Sequence, residues 1–353
     1  MLNTNISNNY LVTRANWHKN HRHHGGASAV ARCWFSTMRL EMMPKVSRDM
    51  MRPGVDCFVS SVIPALSSFW LFVMSKAIPE ATLFVGDCSG GFSARHRLPV
   101  KATIWPLVNG HHGAKIDLMM SRMSTAEFVV VSDDDVFWLD NAPWQWAMDE
   151  FRLNPKLAVV SLVPRERFQW NINGAQYTPM GSYNLIIRRE IWCKEELDLR
   201  PRNSPCAEGA SYKGVYDTAD YANVQLLKRG YSVSIAPREI RERHMVEFKG
   251  VSSGLLVAQK EPERRRMENS DYDPGLLARC AHIARGLAGI SAEVLGADRD
   301  EFIAPRLLES VTEDAERSCD PKRLASIRDE VDNQVAAIAS AVFSTARPLI
   351  KLC

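Results

Sequence analysis

The sequence predicts an α/β protein with an open, mostly parallel sheet flanked by helices, followed by a helical C-terminal region. Short β-branched apolar runs alternate with stretches of helical periodicity across residues 55–250. Several of these runs break into polar loops carrying Gly, Asn, Asp or His, the pattern of strands whose ends carry ligand loops. From about residue 255 onward the pattern is helical and laced with charge.

The elements follow from local chemistry. Residues 55–78 form an apolar stretch long enough to span a bilayer, but it holds Asp56, Pro64, Lys76 and five serines. The better reading is a buried strand over 55–63 and a core helix over 65–77, with Pro64 at the helix start. A short strand over 81–85 runs into GDCSGG, and a second over 102–108 breaks at Asn109, Gly110, His111, His112 and Gly113. Ile116, Met119, Met120 and Met123 then share a helical face over 114–125, before the β-branched strand EFVVVS. The second half reads as a helix over 142–153, a strand over 157–163, an aromatic and glycine-bearing stretch, and a strand over 185–192. A loop over 200–215, a helix over 216–229 stopped by Gly230, and a strand over 231–235 complete it.

Chain length allows two or three domains: a basic N-terminal extension over 1–54, a catalytic domain over 55–254 and a helical region over 255–353. The net charge of +3 leaves no basic field that would make nucleic acid a partner. The charge is uneven, because residues 1–54 carry eight basic and two acidic side chains together with His18, His21, His23 and His24. That stretch reads as a mobile or loosely docked arm, with peripheral contact to anionic headgroups as a further expectation. Eight cysteines without a C-x-x-C pair, and no apolar leader in the first 50 residues, suggest reduced thiols and a cytoplasmic location.

The strongest chemical signal is Asp133-Asp134-Asp135, directly after the EFVVVS strand. Carboxylates packed this closely raise one another's pKa unless a cation neutralises them, and hard oxygen ligands suit Mg2+ or Mn2+. The alternative is a polar capping loop, but capping takes one Asp, not three.

A strand ending in Asp-x-Asp, with Asp87 in an earlier loop and the segment NGHHGAKID between them, resembles the GT-A-fold, family-two-like nucleotide-sugar glycosyltransferases. The resemblance covers roughly 55–250 and is carried by three short motifs rather than a long one. It implies a GT-A-type, Rossmann-like sheet, a nucleotide-sugar donor, a glycan or lipid-linked acceptor, and Mn2+ or Mg2+ as cofactor. Position by position, it places Asp133 and Asp135 on the metal and donor, with Asp134 between them. Asp87 falls at the donor's base or ribose, although an Asx turn explains it equally. His112 and Lys115 fall near the diphosphate, against the alternative of an ordinary surface pair. The late acid that serves as general base in inverting members matches Asp217, with Asp220 one turn further; the alternative for Asp217 is a helix cap. The Glu-Asp pair of many relatives is missing. His244 after the last strand matches a third metal ligand of some GT-A enzymes, against a plain surface histidine. Trp170, Tyr177 and Tyr183 are candidates for an acceptor wall, against ordinary packing.

Two other readings stand beside this one. A degenerate module would keep nucleotide-sugar binding and lose turnover. A nucleotidyltransferase would place a glycine-rich basic loop after the first strand, where this chain has SSVIPALSS. Phosphatase chemistry of the D-x-D-x-T type is excluded by Phe137.

Overall fold

The computed structural model describes residues 26–92, 101–209, 214–248, 250–258, 273–299, 302 and 305–344. The histidine-rich start of the basic arm lies outside them. Helix α1 (Gly26–Met42) precedes β1 (Arg52–Ser61), α2 (Pro64–Ala77), β2 (Thr82–Asp87), β3 (Ala102–Pro106), α3 (His112–Met123), β4 (Ala126–Ser132) and β5 (Val136–Trp138). Then come α4 (Ala142–Leu153), β6 (Leu157–Ser161), β7 (Trp170–Ile172), β8 (Ala175–Tyr177), β9 (Asn184–Arg188), α5 (Arg189–Lys194), β10 (Arg202–Pro205) and β11 (Val215–Tyr216). The chain continues through α6 (Asp220–Lys228), β12 (Ser232–Ile235), α7 (Arg238–His244), β13 (Met245–Glu247), α8 (Val251–Ala258), α9 (Pro274–Leu295), α10 (Pro305–Ser318) and α11 (Pro321–Ser344).

Seven strands form the central sheet in the order β12-β6-β9-β4-β1-β2-β3, parallel except for β9, which runs antiparallel to both β4 and β6. The expected mixed α/β architecture with a mostly parallel sheet is present. From β1 the chain steps outward to β2 and β3, then returns across β1 to β4. Right-handed crossovers made in opposite directions put α2 and α3 on opposite faces of the sheet. The strand order therefore reverses between β1 and β4, and a crevice opens at their carboxyl ends.

Residues 55–78 are strand and helix, with Pro64 in the first turn of α2. Among the described residues, no helix is long and apolar enough to cross a membrane. Two elements depart from the sequence pattern. The apolar run over 185–192 is a strand only to Arg188, where its pairing with Phe128 ends, and Ile191 and Trp192 reach the core from a helical turn instead. Tyr216 belongs to a two-stranded ribbon, and α6 starts at Asp220, after Ala219 adopts a left-handed φ of 68°.

The C-terminal helices do not stand apart from the sheet. Helix α9 packs on α2, α11 packs on β13, and Leu277, Ile283, Val331 and Ile338 share one buried cluster with Val55, Phe58 and Val130. At the other edge, part of the basic arm is docked: Cys33 and Leu40 of α1 are fully buried. Gly90, at φ +62°, allows this approach, because a Cβ there would stand 2.8 Å from the Ala29 carbonyl oxygen.

Two buried acids lock the frame. Asp56 on β1 accepts from Arg52 Nη2 at 2.8 Å, Ser124 Oγ at 2.8 Å and the backbone N–H groups of Thr125 and Ala126 at 3.1 Å, which fixes the entry into β4. Asp117 on α3 accepts twice from the Leu199 N–H, at 2.9 and 2.8 Å. Gly113 rests on the same segment, since a Cβ there would meet the Leu199 carbonyl oxygen at 2.3 Å. Helix α3 is thus clamped by its first turns to Leu199.

Two outcomes follow. Asp56→Ala strands several buried donors and should cost about 3 kcal/mol in urea unfolding. Burial pushes the Asp117 carboxyl up to about 8, far above its unfolded value, so the native state binds the extra proton. Its contribution to stability is complete below the unfolded pKa and is lost as pH rises through about 8. Unfolding between pH 6 and 9 should show this fall, at up to about 1.4 kcal/mol per pH unit, and Asp117→Asn should reduce the slope.

Candidate active site

A cleft of about 860 Å3 occupies the reversal point between β1 and β4. Ser60, Ser61 and Val62 form one wall at the end of β1, and Asp133, Asp134 and Asp135 form the floor at the end of β4. Asn109, Gly110, His112 and Lys115 come from the start of α3 and the loop before it, and Arg165, Arg167 and Phe168 from the segment after β6. Tyr183, Asp217, Thr218 and Glu247 complete the lining.

The floor rests on a buried polar network. Ser132 Oγ receives Trp70 Nε1 at 3.3 Å and Asn184 Nδ2 at 2.9 Å, and Asn184 Oδ1 receives Trp138 Nε1 at 3.2 Å. The Asp133 N–H donates to the Tyr183 carbonyl oxygen at 2.8 Å. These bonds hold the strand end rigid, so the three carboxylates point in set directions. Asp134 Oδ2 accepts from Ser252 Oγ at 2.7 Å, and Asp135 Oδ2 accepts from the Val251 N–H at 2.9 Å, at the start of α8. Asp133 instead faces His112, whose Nε2 lies 3.3 Å from its Oδ1.

Burial raises all three acids, and repulsion from neighbouring carboxylates adds to it at Asp133 and Asp135. Asp133 is driven well above the usual carboxylate range by burial and by Asp135 and Asp134, and Asp135 is pushed up to about 8 by burial and Asp134. Burial raises Asp134 too, against the hydrogen bonds it accepts. Burial, with Lys115 and His111 nearby, pushes His112 down to about 3, so the ring facing Asp133 is neutral. Lys115 Nζ donates to Asn109 Oδ1 at 3.0 Å and approaches Cys88 Sγ at 3.3 Å.

Across the cleft, Arg165 is the organising side chain. Its Nη1 lies 2.7 Å from Asp220 Oδ1, and its Nη2 lies 3.3 Å from Asp217 Oδ2 and 3.2 Å from the Thr218 carbonyl oxygen. Asp220 is completely buried and also accepts from the Asp217 N–H at 2.9 Å. Asp217 keeps a side chain 35% exposed toward the cleft. Leu199 joins the two sides, because its carbonyl accepts from the Ala219 N–H at 3.1 Å and its N–H donates to Asp117.

Of the residues singled out from the sequence, Asp133, Asp134, Asp135, His112, Lys115 and Asp217 meet at the cleft. Asp220 stands behind it, paired to Arg165, and does not line it. Asp87 is 3% exposed and turns inward, accepting from Ser89 and from the Phe92 N–H, so it shapes the loop after β2. His244 ends α7 with Nδ1 2.7 Å from Asp140 Oδ2 and does not line the cleft. Trp170 is buried at 1% exposure and Tyr177 lies on the β7–β8 ribbon, whereas Tyr183 is 41% exposed at the cleft. Arg165, Ser61, Glu247 and Ser252 were not anticipated; the one available signal was a basic residue placed just after the β6 strand.

Among the described residues, no three His, Cys, Asp or Glu side chains are arranged to enclose a metal ion. Mg2+ commonly takes one or two protein carboxylates and completes its shell with water and substrate phosphate, so a pair such as Asp133 and Asp135 fits that mode. Burial is the larger cause of their raised pKa values and repulsion between neighbouring acids the smaller, and a cation bound there would relieve the latter.

No protein-family model matches the chain, and no curated protein matches it. Among solved structures, it is similar to a mannosyltransferase from Pyrobaculum calidifontis in complex with GDP-Man and Mn2+, at 14% identity over 95% of this chain and 97% of that one, with a TM-score of 0.38. It is also similar to a cytidylyltransferase from Leptospira borgpetersenii, at 10% identity over 59% of this chain and 86% of that one, with a TM-score of 0.34. A third is a CMP:2-keto-3-deoxy-manno-octonic acid synthetase complexed with CTP, at 11% identity over 52% and 89%, with a TM-score of 0.33.

Proposed function

We propose that the chain is a metal-dependent glycosyltransferase that moves a sugar from a nucleoside-diphosphate sugar to an acceptor hydroxyl. The observation that carries this reading is the cleft itself: at the strand-order reversal, mutually repelling carboxylates form the floor and Lys115, Arg165 and Arg167 reach the walls. Such a surface suits a ligand that brings a divalent cation to the acids and phosphate oxygens to the bases.

Asp133 and Asp135 would hold Mg2+ or Mn2+, which when bound would neutralise charge on a departing diphosphate. Lys115 sets an ammonium on the same side, and the neutral His112 stands 3.3 Å from Asp133. Asp217 is the group in this reading that takes the acceptor proton; its carboxylate is held by Arg165 and by the Thr218 N–H at 2.7 Å. Asp220, fully buried, positions Arg165 and through it Asp217. Tyr183 and Phe168 offer aromatic faces to an acceptor sugar ring. Arg167, whose guanidinium carbon lies 5.0 Å from the Phe168 ring centroid, offers a cation beside them.

The test uses calorimetry and product analysis with a panel of nucleotide sugars and Mn2+. Asp133→Ala should weaken metal-dependent donor binding at least about a hundredfold while thermal unfolding stays unchanged, because Asp133 bears less of the architecture than Asp135, which anchors α8. Undiminished binding would overturn the reading. Asp217→Asn should keep donor binding and lower turnover by about 10² to 10⁴. The released product separates the rival chemistry: nucleoside diphosphate marks glycosyl transfer, whereas pyrophosphate marks a nucleotidyltransferase.

A further inference from the structure

Helix α1 is apolar on two opposite faces. Ala29, Cys33, Thr37 and Leu40 turn inward and are buried. On the other side, Phe35 is 73% exposed, Met38 49% and Met42 76%, in line with the exposed Ala31. Positions 31, 35, 38 and 42 fall within a narrow arc of a 3.6-residue helix, so they form one stripe. Met50, 60% exposed, lies a short loop beyond it. Four of the seven large hydrophobic residues exposed among the described residues thus sit within 16 positions, so this stripe is not the scatter of single apolar groups normal on a surface.

The helix is held firmly while it presents this stripe. Thr37 Oγ1 accepts from the Val108 N–H at 2.9 Å, and the Ser36 carbonyl accepts from Trp105 Nε1 at 3.1 Å. Charge sets the character of what covers it. Arg32 and Arg39, both exposed, flank one side of the stripe, Lys45 follows it, and residues 1–54 together carry eight basic against two acidic side chains. Glu41, also exposed, borders the other side. A second copy packed antiparallel about a two-fold axis would set Arg32 and Arg39 against themselves, which that charge disfavours. An apolar stripe with two arginines along one edge, in a stretch of net positive charge, is the form of a helix lying in the headgroup layer of an anionic bilayer.

We propose that the outer face of α1 docks on an anionic phospholipid surface, inserting Phe35, Met38 and Met42 among the acyl chains while Arg32, Arg39 and Lys45 contact headgroups. This contact does not depend on the reaction carried out in the cleft.

The test is co-sedimentation of the full chain with phosphatidylcholine vesicles, with and without phosphatidylglycerol. The full chain should bind the anionic vesicles, bind the neutral ones far more weakly, and come off as salt rises. Phe35→Ser, Met38→Ser and Met42→Ser together should lower partitioning at least about tenfold with little change in thermal unfolding, because Phe35 and Met42 are mostly exposed and Met38 about half so. Arg32→Gln with Arg39→Gln should lower it about fivefold or more per charge and flatten the salt dependence. The proposal is overturned if the full chain does not bind, if the triple-serine protein binds as well, or if sedimentation velocity shows that the stripe joins two copies. Binding that appears only after residues 1–25 are removed would assign the face to that segment and overturn it too.

Discussion

Three consecutive acids at the tip of a central strand cannot all be left charged in a buried place, and much of the molecule is arranged around that constraint. Asp134 and Asp135 are satisfied by Ser252 and by the Val251 N–H at the start of α8, which ties the start of the C-terminal helices to the sheet. The strand pair β5–β13 makes this reach possible, since Val136 pairs with Glu247 and the Phe248 N–H donates to the Asp135 carbonyl. Asp133 is left to the cleft, with a neutral imidazole as its close companion. The metal proposed for this cleft would meet its carboxylate at Asp133, the acid of the three that neither Ser252 nor Val251 engages.

Leu199 connects the two sides of the cleft through its backbone alone. Its N–H holds Asp117 on α3 and its carbonyl holds Ala219 just ahead of α6, so the elements bearing His112 and Asp217 are positioned by one residue. Gly113 belongs to this arrangement: the His-Gly pair that stands out in the sequence has its glycine where no side chain fits between α3 and Leu199. The Arg165 guanidinium does the same for the acids opposite, with Asp220 as its buried anchor and Asp217 as its exposed partner. A residue that looks like a second candidate base is in this way a support for the first.

The inner face of helix α1 packs against the half-buried β3, and its outer face stays apolar. In the bilayer contact proposed for this face, apolar insertion and headgroup attraction would reinforce each other.

The order of strands and helices was legible because periodicity is local: the β-branched runs at 55–63 and 126–131, Pro64, and the methionines of α3 each state their element within a few residues. The acidic triplet was legible for the same reason, since repulsion among neighbours along the chain needs no fold to be recognised. Which acids face the cleft was not legible. Asp87 ends β2 and Asp133 follows β4, two parallel strands, yet Asp87 folds back on Ser89 and Phe92 while Asp133 lines the cleft. Asp217 and Asp220 lie three residues apart, yet only the approach of Arg165, 55 positions before Asp220, separates their roles. His244 met Asp140 rather than the triplet for a similar reason, the pairing of β13 with β5. Secondary structure follows from neighbours along the chain, whereas the direction of a side chain at a site depends on partners that only packing brings near.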